Sequence, residues 1–182
     1  MARKLRIQYP GAVYHVMNRG DRRESIFHDD ADRQRFIETL GEACGKTGWQ
    51  VHAYCLMPNH FHLVVETPQP SLVAGMKWFL GTYTGRFNRR HKLFGHLFSG
   101  RYKALIVDSA TPGYLKTACD YVHLNPVWAR LLMPEGLLRS YRWSKLQGIF
   151  EAGLAAAGVA ASGPAVGRAR HCERQPGGAA RV

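Results

Sequence analysis

Residues 50–67, read as QVHAYCLM, then Pro58-Asn59, then HFHLVVET, constrain the fold more than any other stretch. Two eight-residue runs of apolar, β-branched and aromatic residues are joined by a connection that allows only a tight reversal. This predicts a hairpin, and with it an antiparallel sheet. Successive side chains on a strand point to opposite faces, so His60 and His62 share one face while Phe61, Leu63 and Val65 share the other. The apolar face requires a covering layer. The histidine face carries two imidazoles about 7 Å apart on a rigid support, a spacing from which both can reach one divalent ion. The spacing alone does not separate that reading from one half-buried and one solvated histidine.

The rest of the chain supplies partners for this hairpin. AVYHVMN (12–18) alternates as a first strand after Pro10-Gly11, and turn residues Asn18 to Asp21 close it. Asp29 or Asp30 can cap a helix presenting Phe36, Ile37, Leu40 and Cys44 and ending near Gly45 or Gly48. Ser71 is expected to cap a second helix with the stripe Leu72, Met76, Phe79, Leu80, Tyr83 and Phe87. YKALIVD (102–108) reads as another strand, and Pro112 as the first position of a third helix running to about His123. The order βαββαβα points to an α+β fold: an antiparallel sheet with helices packed on one face.

Aromatic residues are spread from Tyr9 to Phe150 and then stop. Residues 1–150 are therefore expected to form one domain. Residues 151–182, rich in Ala, Gly and Arg, are expected to be a mostly disordered tail, because they hold little large apolar surface to offset the entropy of ordering. Cys44, Cys55, Cys119 and Cys172 form no C-x-x-C pair, which argues against a zinc ribbon or a disulfide framework. With 25 Lys and Arg against 13 Asp and Glu, the net charge is +12. A domain this basic is expected to meet a polyanion, usually nucleic acid. No membrane span and no signal-peptide core are visible, so a cytoplasmic, DNA-associated protein is expected.

Two further segments carry chemistry. In Asp120-Tyr121-Val122-His123-Leu124-Asn125-Pro126, a continuous helix would put Tyr121 and Asn125 on one face, a phenol beside an amide oxygen. Tyr114, two turns earlier, is a rival for the phenol, and Asn125 before Pro126 also reads as a helix end. In FNRRHKLFGHLFSGRYK (87–103), Arg and Lys alternate with Phe94, Phe98 and Tyr102, interleaving phosphate-binding charge with rings on which bases can stack. The candidate DNA-binding cations are Arg86, Arg89, Arg90, Lys92, Arg101 and Lys103, with Arg19, Arg22 and Arg23 in the first turn. Arg3, Lys4 and Arg6 add charge near the N-terminus.

HFHLVVET, GHLFSGRYKA and YVHLNPV, supported by PGAVYHVMNRGDRRESIFHDD and HAYCLMPNH, together resemble the single-tyrosine HUH transposases of insertion sequences. The branch most similar is the REP-associated tyrosine transposases. The resemblance covers about residues 3–145 and excludes the tail. It implies a ferredoxin-like core with the histidine pair on a central strand and the nucleophile on a C-terminal helix. By position it implies that His60, His62 and Asn125 hold a Mg²⁺ or Mn²⁺ ion and that Tyr121 is the nucleophile. The family's asparagine-proline-valine-arginine-alanine-glycine run is altered, with Trp128 and Arg130 in place of its arginine and glycine.

The activity so implied is metal-dependent cleavage and rejoining of single-stranded DNA through a 5′-phosphotyrosine, with single-stranded or hairpin DNA as partner and a monomer or homodimer as the acting species. A protein of the same fold that binds hairpin DNA without cutting it is the alternative. An unrelated metal hydrolase would show more His or Asp ligands beside the pair than Glu66. An RNA-binding module would place aromatics on that strand face.

Overall fold

The computed structural model describes residues 5–132 and 138–146. The expected tail at 151–182, and Arg3 and Lys4, lie outside the described residues. Among the described residues, five strands form one antiparallel sheet: β1 (Ala12–Arg19), β2 (Gln50–Met57), β3 (His60–Thr67), β4 (Lys103–Val107) and the short β5 (Ser144–Leu146). Their order across the sheet is β4-β1-β3-β2-β5. The hairpin forms where the Pro58-Asn59 reversal predicts it, pairing Met57 with His60. β3 is central, flanked by β2 on one side and β1 on the other, with Met17 opposite His62 and Arg19 opposite His60.

Helices α1 (Asp30–Thr47) and α2 (Leu72–His91) cover the face expected from the alternation. Phe61, Leu63 and Val65 of β3, with Tyr14 and Val16 of β1, meet Phe36 and Leu40 of α1 and Met76, Phe79 and Tyr83 of α2 in the main core. Phe36 is the hub, with ring centroids 4.8–5.0 Å from Phe61, Phe79 and Tyr83. Asp29 caps α1 by accepting from the Asp32 amide at 3.0 Å, and Gly48 ends it in the left-handed region at φ 71.

Helix α3 (Tyr114–Trp128) lies on the opposite face of the sheet. There Cys119 and Val122 pack on Val13, Ala53, Cys55, Met57 and Val64, a second and smaller cluster. The sheet is therefore sandwiched, with two helices on one side and the Tyr121 helix on the side that carries the histidines.

Three local expectations change. Ser71 precedes α2 but makes no side-chain cap; its Oγ accepts from Trp49 Nε1 at 3.0 Å instead. Pro112 does not open α3, which begins at Tyr114 after Gly113, because Asp108 holds Ala110 and Thr111 in a turn first. The helix also runs past His123 and through Pro126 to Trp128. Pro126 has no N–H for the Val122 carbonyl, and the Asn125 side chain substitutes: its Nδ2 donates to Val122 O at 3.4 Å and to Tyr121 O at 2.8 Å. Arg130, where the resembling family has glycine, adopts φ 55 just after the helix.

Candidate active site

Strand β3 presents His60 and His62 on the α3 side, and the β1 alternation brings His15 to the same side. The His60 and His62 rings meet edge to face at 5.1 Å between centroids. His60 Nδ1 is fixed by Asn59 Oδ1 at 2.7 Å. His62 is 3 % exposed, and its Nδ1 lies 2.9 Å from His15 Nε2. Burial, followed by the Arg19 charge, pushes the His60 imidazole down to about 4. Burial again dominates at His62, and His15, His60 and Arg19 add to it, so that this ring is pushed down to about 3. Both rings are thus neutral near pH 7, the protonation state in which imidazole ligates a metal.

Tyr121 projects from α3 onto His62 and His15. Its ring contacts His62 edge-on at 6.1 Å and His15 at 5.5 Å, with Trp128 on its other flank at 5.0 Å. It stays 43 % exposed. Asn125 lies one turn further on. Its amide nitrogen is occupied by the helix carbonyls, which leaves Oδ1 as its available donor atom for a ligand. Tyr114, the rival, is 59 % exposed and has no ring contact with the histidines among the described residues.

Two neutral imidazoles on the sheet, with an amide oxygen and a phenol one turn apart on the helix above them, are a mixed N/O donor set suited to a hard or borderline divalent ion that keeps positions open for water and phosphate oxygens. Another trio of donors, His28, Asp32 and His91, also lies within 4.8 Å of one another. Chemistry argues against an ion there. Asp32 already accepts from Arg90 Nη1 at 2.5 Å, from His91 Nε2 at 2.9 Å and from the His28 amide at 2.8 Å. The guanidinium neutralises the carboxylate and would repel a cation, so the trio pins α1 to α2.

The nine candidate cations divide into two groups. Arg19, Arg22, Arg23, Arg101 and Lys103 line one cleft of about 340 Å³, together with Asn18 and Ser99, at the edge of the histidine face. Asn18 is buried there with its Nδ2 unpaired. Arg22 and Arg23 hold positive φ values of 48 and 64, which turn the chain sharply at the cleft rim. Arg86, Arg89 and Arg90 instead belong to α2, in the layer behind the sheet, and Lys92 caps its C-terminus. Arg86 forms a two-pronged pair with Glu42 at 2.7 and 3.0 Å, and Arg90 grips Asp29 and Asp32. These two serve the helix pair. Arg89 and Lys92 remain exposed.

The stacking aromatics also change. Phe98 is buried against Phe61 and Tyr83, and Tyr102 is half-buried under the Arg6 guanidinium at 3.8 Å. Only Phe94 of the three is fully open to solvent. His15 was not a sequence candidate. Its signal was present, since it alternates with Tyr14 and Val16 toward the face opposite the core, but the pairing of β1 with β3 is not visible in sequence.

The fold is shared with a solved structure, and a family model matches most of the chain. A solved structure described as a REP-associated tyrosine transposase bound to a REP hairpin superposes with a TM-score of 0.64 at 14 % identity, covering 79 % of this chain and 82 % of that one. A putative transposase from Deinococcus radiodurans R1 gives 0.46 at 20 % identity, over 66 % of this chain and 97 % of that one. No curated protein sequence matches the chain. No helix among the described residues is long and apolar enough to cross a membrane. The family described as transposase IS200 like matches residues 8–125, which include the histidine pair, Tyr121 and Asn125, and the chain belongs to that family.

Proposed function

We propose that this protein cuts and rejoins single-stranded DNA beside a hairpin, with Tyr121 as nucleophile. The observation that carries the reading is convergence: a tyrosine and two neutral histidines, about sixty residues apart in sequence, form a chain of ring contacts on one sheet face, with Tyr121 6.1 Å from His62 and His62 5.1 Å from His60 between centroids. His60, His62 and Asn125 would hold Mg²⁺ or Mn²⁺. Such an ion supplies charge neutralisation at the scissile phosphate and lowers the barrier to anionic attack.

The remaining chemistry belongs to the chain. The Tyr121 oxygen bonds to phosphorus as the phosphorus–O3′ bond breaks. The tyrosine proton passes to solvent, which reaches the exposed ring, and the departing 3′ oxygen takes up a proton. The phosphotyrosine ester retains the energy of the broken diester, so a second 3′ hydroxyl can reverse the step without ATP. The five-cation cleft, whose Met17 and Arg19 are the strand partners of His62 and His60, would carry phosphates beside the cut, and phosphate contacts of this kind position a strand without reading its sequence.

The test incubates hairpin DNA bearing a single-stranded flank with the protein in Mn²⁺ or Mg²⁺, digests the product, and locates the nucleotide by mass. A nucleotide on the peptide containing Tyr121, absent in chelator, is expected. Binding without any adduct in either metal would leave a hairpin-binding protein of the same fold.

A further inference from the structure

His15 faces the site from β1, yet the reaction above gives it no part. Its Nε2 sits 2.9 Å from His62 Nδ1. The two ring planes lie within 18° of each other with centroids 5.2 Å apart, so the rings meet end to end and nearly coplanar, as an in-plane N–H···N bond requires. Two neutral imidazoles that share a hydrogen bond must divide the roles, one donating and one accepting. If His15 donated, His62 would carry its own proton on Nε2 and could offer no lone pair there. If His62 donates from Nδ1, its Nε2 keeps the lone pair a ligand needs. A third-ligand role for His15 is disfavoured by placement: among the described residues, the trio of donor groups lying within 4.8 Å of one another is His28, Asp32 and His91, and not the three histidines of this face.

We infer that His15 is a positioning residue that accepts the His62 Nδ1–H, holding His62 in the tautomer and ring orientation that present Nε2 to a divalent ion. The inference rests on the reading that His60 and His62 hold that ion. The in-plane hydrogen bond limits rotation of the His62 ring and makes the opposite nitrogen more basic, which is the usual contribution of an outer partner to a metal-bound histidine. His60 receives comparable support from a different source, since Asn59 Oδ1 lies 2.7 Å from its Nδ1 and can only accept. Each histidine of the pair therefore has its Nδ1 engaged, one by an amide and one by an imidazole from a neighbouring strand.

The experiment uses the full chain with Mn²⁺ alone as probe. Imidazole nitrogen–carbon-bound-proton correlation NMR on metal-free, ¹⁵N-labelled protein at neutral pH reads the His62 tautomer directly. Free Mn²⁺ is titrated by electron paramagnetic resonance for wild type, His15→Phe, His15→Gln and His60→Ala. Wild type should show His62 protonated on Nδ1. His15→Phe should weaken Mn²⁺ binding about 10- to 100-fold, the usual loss when an outer partner is removed. His15→Gln keeps an accepting oxygen and should recover most of it. Hairpin-DNA affinity in chelator should match wild type in both. A wild-type His62 protonated on Nε2 overturns the role of His15, and so does undiminished Mn²⁺ affinity in His15→Phe; in either case loss of affinity in His60→Ala leaves the metal reading intact. Undiminished affinity in His60→Ala overturns the metal reading and this inference together. Should His15→Phe not fold, the wild-type tautomer and the His15→Gln affinity still decide.

Discussion

Replacing Tyr121 with phenylalanine removes one oxygen and retains a ring held by edge contacts to His15, His62 and Trp128. The hydroxyl has no hydrogen-bond partner among the described residues, and the side chain is 43 % exposed. No intramolecular hydrogen bond is lost, and the ring contacts are kept. The stability change should therefore stay within about 0.5 kcal/mol, the range of surface substitutions that break no specific feature. Activity should respond without proportion to stability: with no phenol oxygen the phosphotyrosine cannot form, so covalent capture should fall to background. The assay labels single-stranded DNA 3′ of the cut and compares wild type, Tyr121→Phe and Tyr114→Phe in Mn²⁺ by denaturing electrophoresis, with thermal melts alongside. Label should follow wild type and Tyr114→Phe only. An adduct persisting in Tyr121→Phe, or lost in a well-folded Tyr114→Phe, would refute the assignment and move the chemistry two helical turns along α3.

Three other outcomes follow from the same geometry. His60→Ala and His62→Ala should each abolish the adduct while hairpin binding in chelator stays within a few-fold, and full cleavage by wild type in excess chelator would refute a metal site. Stability of the metal-free protein should fall on acidification: His60 and His62 are held neutral, down to about 4 and 3, whereas in the unfolded chain they protonate near 6.5. The unfolded state then binds more protons between these limits, so stability rises with pH up to about 6.5 and levels off above it, at about 1.4 kcal/mol per pH unit for each ring still neutral; denaturant melts from pH 4 to 8 check this, and a flat profile refutes it. Combined alanine substitution of Arg22, Arg23 and Arg101 should lower the log–log salt slope of DNA binding by about two, at about 0.7 for each of three phosphates on a single strand, whereas Arg86→Ala and Arg90→Ala should lower the melting temperature and leave that slope unchanged; the reverse pattern would place the DNA behind the sheet.

The architecture was legible because period-2 and period-3.6 patterns are local properties of sequence. The hairpin at Pro58-Asn59, the β3 alternation and the α2 stripe each appear where those patterns put them. Strand order is not local, and this is why His15 went unnoticed: nothing within AVYHVMN reveals that it will lie beside His62. For the same reason nothing local shows that Arg86 and Arg90 pair with Glu42 and Asp32 of α1 and with its cap Asp29. Phe98 looked like a stacking ring because its neighbours are basic, but the bridge between Gly20 and Phe98 turns it into the core. Pro126 suggested a helix end by backbone chemistry alone, and the Asn125 side chain supplies the donor that lets the helix continue.

The two faces of the sheet are unequally filled, and this gives the molecule built-in chemical reporters. Cys44 is buried in the large cluster with α1 and α2, whereas Cys55 and Cys119 lie in the thin layer beneath α3. Burial pushes the Cys44 and Cys55 thiols up to about 12 and raises that of Cys119, so all three resist alkylation while the chain is closed. An element resting on few apolar contacts opens more often than the body it rests on. Thiol-reactive reagents should consequently modify Cys119 and Cys55 at a rate set by partial detachment of α3, and Cys44 only at the slower rate of global unfolding. The ratio of those rates measures how freely the tyrosine-bearing helix leaves the histidines.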